Sequence, residues 1–301
     1  MKEEIINGIN YRLDEETLTA EVIEKSDGYG GGINIPEIVV FEQVSYLVRS
    51  IGDTAFYRCL SLTEIVIPNS VRKIGRGAFK ACISLKEMII PDSVKKIEEY
   101  AFRDCSSLTS IVIPERVKSI GNCAFYGCSS LTEIAIPNSV EEIGEGAFVG
   151  CSSLKEIVIP ERVKSIGDRV FSSCPSLTSI VIPESVKSIG EGAFSSCSSL
   201  TEIVIPERVK SIGEGAFAGC SSLTEIVIPN KVEEIGLRAF YECENLTTVT
   251  LPAGVDEIHE KAFDGCLQLK TVYVPAGKVE YYKLRFPKKL HDKIVELASK
   301  K

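Results

Sequence analysis

The sequence predicts a repeat solenoid, a right-handed superhelix whose coils each carry short parallel strands and a short helical turn. Three observations lead there. Ten cysteines, from Cys59 to Cys266, fall at a strict interval of 23 residues. A proline column from Pro68 to Pro275 and a phenylalanine column from Phe56 to Phe263 keep the same interval without a gap. Within each interval, β-branched residues alternate with polar ones over a strand-length stretch. A fixed period in this range is the mark of coils that bury their apolar faces by stacking on one another.

Each element follows from one unit. In Leu62-Thr63-Glu64-Ile65-Val66-Ile67, the β-branched residues and their alternation predict a short strand. Pro68 ends it, because proline has no N–H to offer a neighbouring strand. Val71 and Ile74 point inward with Arg72 and Lys73 outward, which fits either a second short strand or an extended turn. Gly75 permits a sharp change of direction. Ala78 and Phe79 are expected in one helical turn that closes on Cys82. Eight positions per unit therefore face inward: Cys, Leu, two Ile, Val, Ile, Ala and Phe. At about 4.8 Å per parallel neighbour, ten to eleven stacked coils predict a core about 50 Å long.

The boundaries follow from where the period starts and stops. Residues 1–50 are expected to be an N-terminal cap, with Ile9–Leu13 and Thr19–Ile23 forming a β-hairpin over the first coil. Residues 51–275 are the solenoid and 276–301 a C-terminal cap, together one elongated domain. In the tail, Leu290, Ile294 and Leu297 have helical spacing after Pro287, which predicts a short covering helix.

Composition excludes several functions. A net charge of -8 argues against a nucleic-acid partner, which selects a basic face. The longest apolar runs are too short for a transmembrane segment. MKEEIINGIN lacks the apolar stretch of a signal peptide, so a cytoplasmic chain is expected if it is complete as written. No C-x-x-C pair exists for zinc, and even spacing does not suit a disulfide framework. The cysteines are expected to be reduced, buried and apolar in role, with Cys123, which replaces the glycine of Gly77 and Gly146, the one accessible thiol. Gly28-Tyr29-Gly30-Gly31-Gly32 does not fit a nucleotide-binding glycine motif and reads as a flexible loop. His259 stands where other units have glycine, and His291 lies in the tail. Neither has a nucleophile or carboxylate at catalytic spacing, so no catalytic, cofactor or metal residue is assigned. Serines of the Cys-Ser-Ser triplet are expected to bond backbone in the turn ahead of the strand.

The columns L-x-x-I-x-I-P, V-x-x-I-G, A-F and C resemble the leucine-rich repeats of the BspA-like type, at full strength over Ile51 to Pro275. The resemblance implies a leucine-rich-repeat superhelix, a non-enzymatic interaction protein, and an adhesin-like role at the cell surface or in secreted form. A protein or glycan partner, and no cofactor, are implied.

On the first strand, Glu64, Glu87, Glu133, Glu156, Glu202 and Glu225 are expected to form an exposed acidic column. Beside it, Val66, Ile89, Val112, Val158, Val181, Val204, Val227 and Tyr273 form an expected apolar stripe, completed by Ala135 and Thr250. These residues are the candidate binding surface. Columns this uniform suit a repetitive or multivalent ligand, or else a structural, self-associating repeat with no specific ligand.

Overall fold

One coil shows why the period works. From Cys82, the side chains of Cys82, Leu85, Met88, Ile90, Val94, Ile97, Ala101 and Phe102 are all buried, while Glu87, Ile89, Lys95 and Lys96 face out. The eight inward positions read from the repeat are thus the core, with Ile136 and Ile258 only half-buried. The computed structural model describes residues 1–297. These belong to two compact units, Met1–Leu154 and Lys155–Lys301. Each is a β-solenoid of stacked coils with parallel sheets.

The first unit opens with β1 (Lys2–Ile6), β2 (Ile9–Asp14) and β3 (Thr19–Val22), joined antiparallel in order. The expected hairpin is β2–β3. β3 then runs parallel to β6 (Val44–Ile51), and β6 is parallel to β8 (Lys73–Ile74). The hairpin therefore covers the edge of the V-x-x-I sheet. β4 (Gly31–Asn34) pairs in parallel with β7 (Leu62–Val66), so part of the glycine cluster is a strand of the first coil rather than a flexible loop. Its glycines allow close approach: a Cβ on Gly30 would lie 2.6 Å from Ser61 Oγ. β5 (Ile38–Phe41) pairs antiparallel with β6.

The V-x-x-I segment does form a second sheet. Lys96–Ile97, Ser119–Ile120 and Glu142–Ile143 are parallel neighbours in the first unit. Ser188–Ile189, Ser211–Ile212, Glu234–Ile235 and Glu257–Ile258 do the same in the second.

The segment around Ala and Phe is not helical. Every coil from Thr54 to Glu242 places two residues in the left-handed region four positions apart, such as Gly77 (φ 58°) with Ala81 (φ 61°), or Tyr100 (φ 58°) with Asp104 (φ 60°). A left-handed residue interrupts the α-helical path, so the chain makes tight turns instead. Alternate amides then divide their work. Ala78 donates back to Gly75 and Lys80 to Gly77 within the coil. Gly77, Phe79 and Ala81 donate across to Glu99, Ala101 and Arg103 of the next coil, at 2.9, 2.8 and 2.7 Å. The turn is a third inter-coil ladder, and it leaves few orphan backbone groups.

Beneath it the phenylalanine rings stack. Phe56, Phe79, Phe102, Phe125 and Phe148 are spaced by 5.0 to 5.6 Å with Tyr29 against Phe56. In the second unit Phe171, Phe194, Phe217, Phe240, Phe263 and Phe286 stack at 5.1 to 5.6 Å.

Phe286 lies 23 residues beyond Phe263, so the tail is a shortened further coil. The expected helix over Leu290 to Leu297 is not there. A short helix, α1 (Val279–Lys283), is followed by a 3-10 segment at Lys288–Lys293 and a strand at Ile294–Glu296. That strand pairs in parallel with Thr271–Val274, because the last sheet edge offers hydrogen bonds that a helix would leave unmade. Leu290 and Ile294 are buried as foreseen, but Leu297 is exposed and its amide donates to Val274 O. Side chains finish the cap. Tyr281 donates to Val255 O, Arg285 to Asp256 O, Tyr282 to Pro252 O and Lys293 to Leu269 O.

Candidate binding surface

The strand alternation turns every second side chain outward, and the register between coils turns those side chains into columns. In the first unit Glu64, Glu87 and Glu133 are exposed, with Ser110 facing Glu87 in the next strand. Val66, Ile89 and Val112 lie beside them at 51%, 70% and 58% exposure, with Ala135 continuing the row. In the second unit Glu156, Glu202 and Glu225 are exposed. Val158, Val181, Val204 and Val227 stand 55% to 80% exposed, Val204 the most. Val158 is registered on Val181, and Val227 on Thr250 and Tyr273. Tyr273 is only half-buried rather than fully open, because Val295 of the tail strand pairs directly beside it.

The first sheet is less continuous than the second. No strand forms over residues 132–136 or 201–205. Between residues 202 and 229 this opening leaves a shallow groove lined by Glu202, Val204, Glu207, Glu225, Val227 and Pro229. Apolar and acidic side chains meet there at its floor and rim.

The cysteine column has a more specific role than apolar filling. The phenylalanine carbonyls accept the amide of the cysteine three residues on in nine coils, as Phe79 O does from Cys82 at 3.1 Å. The thiol of the following coil donates to the same oxygen, Cys105 to Phe79 O at 3.1 Å. Cys82, Cys128 and Cys151 repeat this in the first unit, and Cys197, Cys220, Cys243 and Cys266 in the second. Both lone pairs of the carbonyl are thereby used. No cysteine among the described residues is joined in a disulfide. Burial raises the thiols of Cys105, Cys128 and Cys220 well above the ordinary range and that of Cys266 to about 12. A thiol held protonated neither binds metal nor attacks. Cys123 alone is partly exposed, at φ 50° on the turn. Its thiol is also raised, chiefly by desolvation, though Arg103 pulls the other way.

Among the described residues no group of His, Cys, Asp and Glu is arranged to hold a metal ion. Nor is any described helix long and apolar enough to cross a membrane. His259 replaces the turn glycine as expected, its amide donating to Ile235 O, and His291 bonds Phe286 O. The triplet serines bond the coil before them rather than their own turn: Ser129 Oγ donates to Ser106 O and Ser152 Oγ to Ser129 O.

One surface escaped the reading of the sequence. On the turn face of the first unit, the residues following Phe56, Phe79, Phe102 and Phe125 are Tyr57, Lys80, Arg103 and Tyr126, with Tyr100 between them. Lys80 lies 5.5 Å from the Tyr57 ring and 5.9 Å from Tyr100. Arg103 lies 5.6 Å from Tyr100 and 4.5 Å from Tyr126. The signal was a 23-residue column that changes from coil to coil, where the strand columns hardly change.

A family model described as the BspA type leucine rich repeat region (6 copies) matches residues 49–178 and 164–287. No curated protein matches the chain. Among solved structures, a leucine-rich repeat protein from Bacteroides ovatus is 31% identical over 98% of this chain and 100% of that one, with a TM-score of 0.53. The T. pallidum leucine rich repeat protein is 30% identical over 74% of this chain and 91% of its own, at 0.57. A leucine rich cell surface protein from Faecalibacterium prausnitzii is 27% identical over 94% and 97%, at 0.50.

Proposed function

The chain belongs to the BspA-type leucine-rich-repeat family, and on that premise we propose that it is an adhesin-like scaffold, binding macromolecules of a cell surface or matrix through its first sheet. The single observation that carries this reading is the exposed valine row Val158, Val181, Val204 and Val227, flanked by Glu156, Glu202 and Glu225. A contiguous row of apolar side chains left in water is the kind of surface that marks an interaction site. Because neighbouring coils repeat the same pair of columns, a ligand with repeated contacts gains through avidity what each coil supplies weakly. The F. prausnitzii relative is described as a cell surface protein, which supports a surface or secreted setting.

The test is binding to immobilised matrix glycoproteins, read by surface resonance. Replacing Val158, Val181 and Val204 with lysine is expected to weaken retention by at least about tenfold, or about 1.4 kcal/mol, while the circular-dichroism spectrum stays unchanged. Equal retention by the folded triple variant removes the valine row as the binding surface. The uniform columns also suit a self-associating structural repeat. Mass that rises with concentration in light scattering, with no glycoprotein retained, is the result that favours that reading.

A further inference from the structure

The turn face of the first unit carries a surface quite unlike its sheets. Tyr57, Lys80, Tyr100, Arg103 and Tyr126 interleave cations with aromatic rings across four successive coils, and Arg76 lies 5.1 Å from the same Tyr100 ring. All these separations lie within the range in which a cation is held by a ring face. The backbone beneath is fixed by the turn ladder: Arg58 N–H donates to Lys80 O, Tyr100 N–H to Asn122 O and Asp104 N–H to Tyr126 O. Cations on such a base are pre-positioned and lose little freedom on binding. Arg76 is paired with Glu99 and Arg103 with Asp104, each at 3.3 Å, but Lys80 has no carboxylate partner among the described residues. The hydroxyls of Tyr57, Tyr100 and Tyr126 likewise make no hydrogen bond to protein among the described residues. The island thus keeps one unneutralised cation, Lys80, beside two paired guanidiniums on a chain of net charge -8, and is rich in free hydroxyls.

We propose that this turn face binds an extended glycan bearing carboxylates at low charge density, of the uronate-containing kind. Three features of the patch select that chemistry. A cation already lies over each ring, which leaves a nucleobase less aromatic face on which to stack, whereas ring edges and hydroxyls suit the hydroxyls of a sugar. The unpaired Lys80 and the outer edges of the two guanidiniums answer isolated carboxylates. The surrounding acidic surface repels a dense polyanion more than a sparse one. The coil-to-coil variation of this column, Tyr, Lys, Arg, Tyr, gives a defined stretch of four coils for one chain to lie along. This site is separate from the valine row, and it stands whether or not the first sheet binds a glycoprotein.

Titration calorimetry of the full chain with a hyaluronan oligosaccharide tests it, with dextran and single-stranded oligothymidylate as competing probes. The wild-type chain is expected to bind hyaluronan, more weakly as salt is raised, and to ignore dextran. Replacing Lys80 and Arg103 together with glutamine is expected to weaken binding at least about tenfold. K80E alone gives the same loss should the double variant fold poorly. R238Q, which changes the Arg238–Tyr241 contact of the second unit, leaves binding as it was. The triple lysine variant of the valine row also retains it, which separates this site from the sheet. No hyaluronan binding by the wild type, equal binding by K80E, or tighter binding of oligothymidylate than of hyaluronan overturns the proposal.

Discussion

A cysteine in this protein closes a hydrogen-bond account that alanine would leave open. Its amide and the thiol of the next coil's cysteine converge on one phenylalanine carbonyl, so the column satisfies a buried acceptor twice over. The same burial removes the thiols from chemistry, because a thiolate in that core would have no counter-charge. Cys123 differs only in where it stands, on the turn instead of under it. Its thiol is raised too, so its labelling is expected to be slow at neutral pH and to quicken as pH rises and thiolate forms. Mass spectrometry of the native chain treated with iodoacetamide should find a single adduct, at Cys123, and further adducts only in denaturant. Native labelling spread over the column would show that the thiols are not buried. Burial and exposure of each cysteine were legible from the 23-residue spacing and from one replaced glycine. The S–H···O bond was not, since it depends on where a carbonyl in a different coil points.

At the scale of elements, the two glycine columns do different work. Gly213 has an ordinary φ, but a Cβ there would stand 2.7 Å from the Gly190 carbonyl carbon and 2.8 Å from Glu191 N. Gly219 sits at φ 73° with its nearest foreign atoms at 3.6 Å. The first lies where coils approach closely, and Glu98 and His259 in the same column show that a Cβ there is taken only with the local backbone set to receive it; the second serves only a left-handed turn. Gly213→Ala is therefore expected to cost more than about 2 kcal/mol in urea unfolding, through displaced backbone. Gly219→Ala should cost about 1 kcal/mol, since Ala81 already holds the equivalent position at φ 61°. The reverse order would contradict these roles. The strands were readable because alternation and proline are local signals. The left-handed turns were not, because Tyr100, Arg169 and Glu242 occupy them as readily as glycine does. The tail misled for a related reason: three apolar residues at helical spacing also fit a 3-10 turn leading into a strand, and the open sheet edge decided between them.

At the scale of the molecule, each unit is held by its repeated inter-coil ladders more than by any one element. Within each unit the turn ladder runs on from coil to coil and the V-x-x-I sheet joins most neighbouring coils, with a break between Ile74 and Lys96, whereas the first sheet has no strand at all over residues 132–136 and 201–205. The candidate sheet surface is thus carried on the looser side of the coil, where its columns were fully legible in sequence because every unit repeats them. The cation–tyrosine island was not legible, since it emerges only when residues from four coils are set side by side. Native-state hydrogen exchange tests this arrangement most directly. The turn amides of Phe79, Phe102 and Phe125, and of Phe194, Phe217 and Phe240, donate to the following coil and are predicted to exchange slowly, close to the limit set by global unfolding. The amides of Ile203 and Ile205, which have no backbone acceptor among the described residues, are predicted to exchange far faster. Fast exchange at the phenylalanine amides, or equal protection at Ile203 and Ile205, would contradict coils stacked in 23-residue register through their turns.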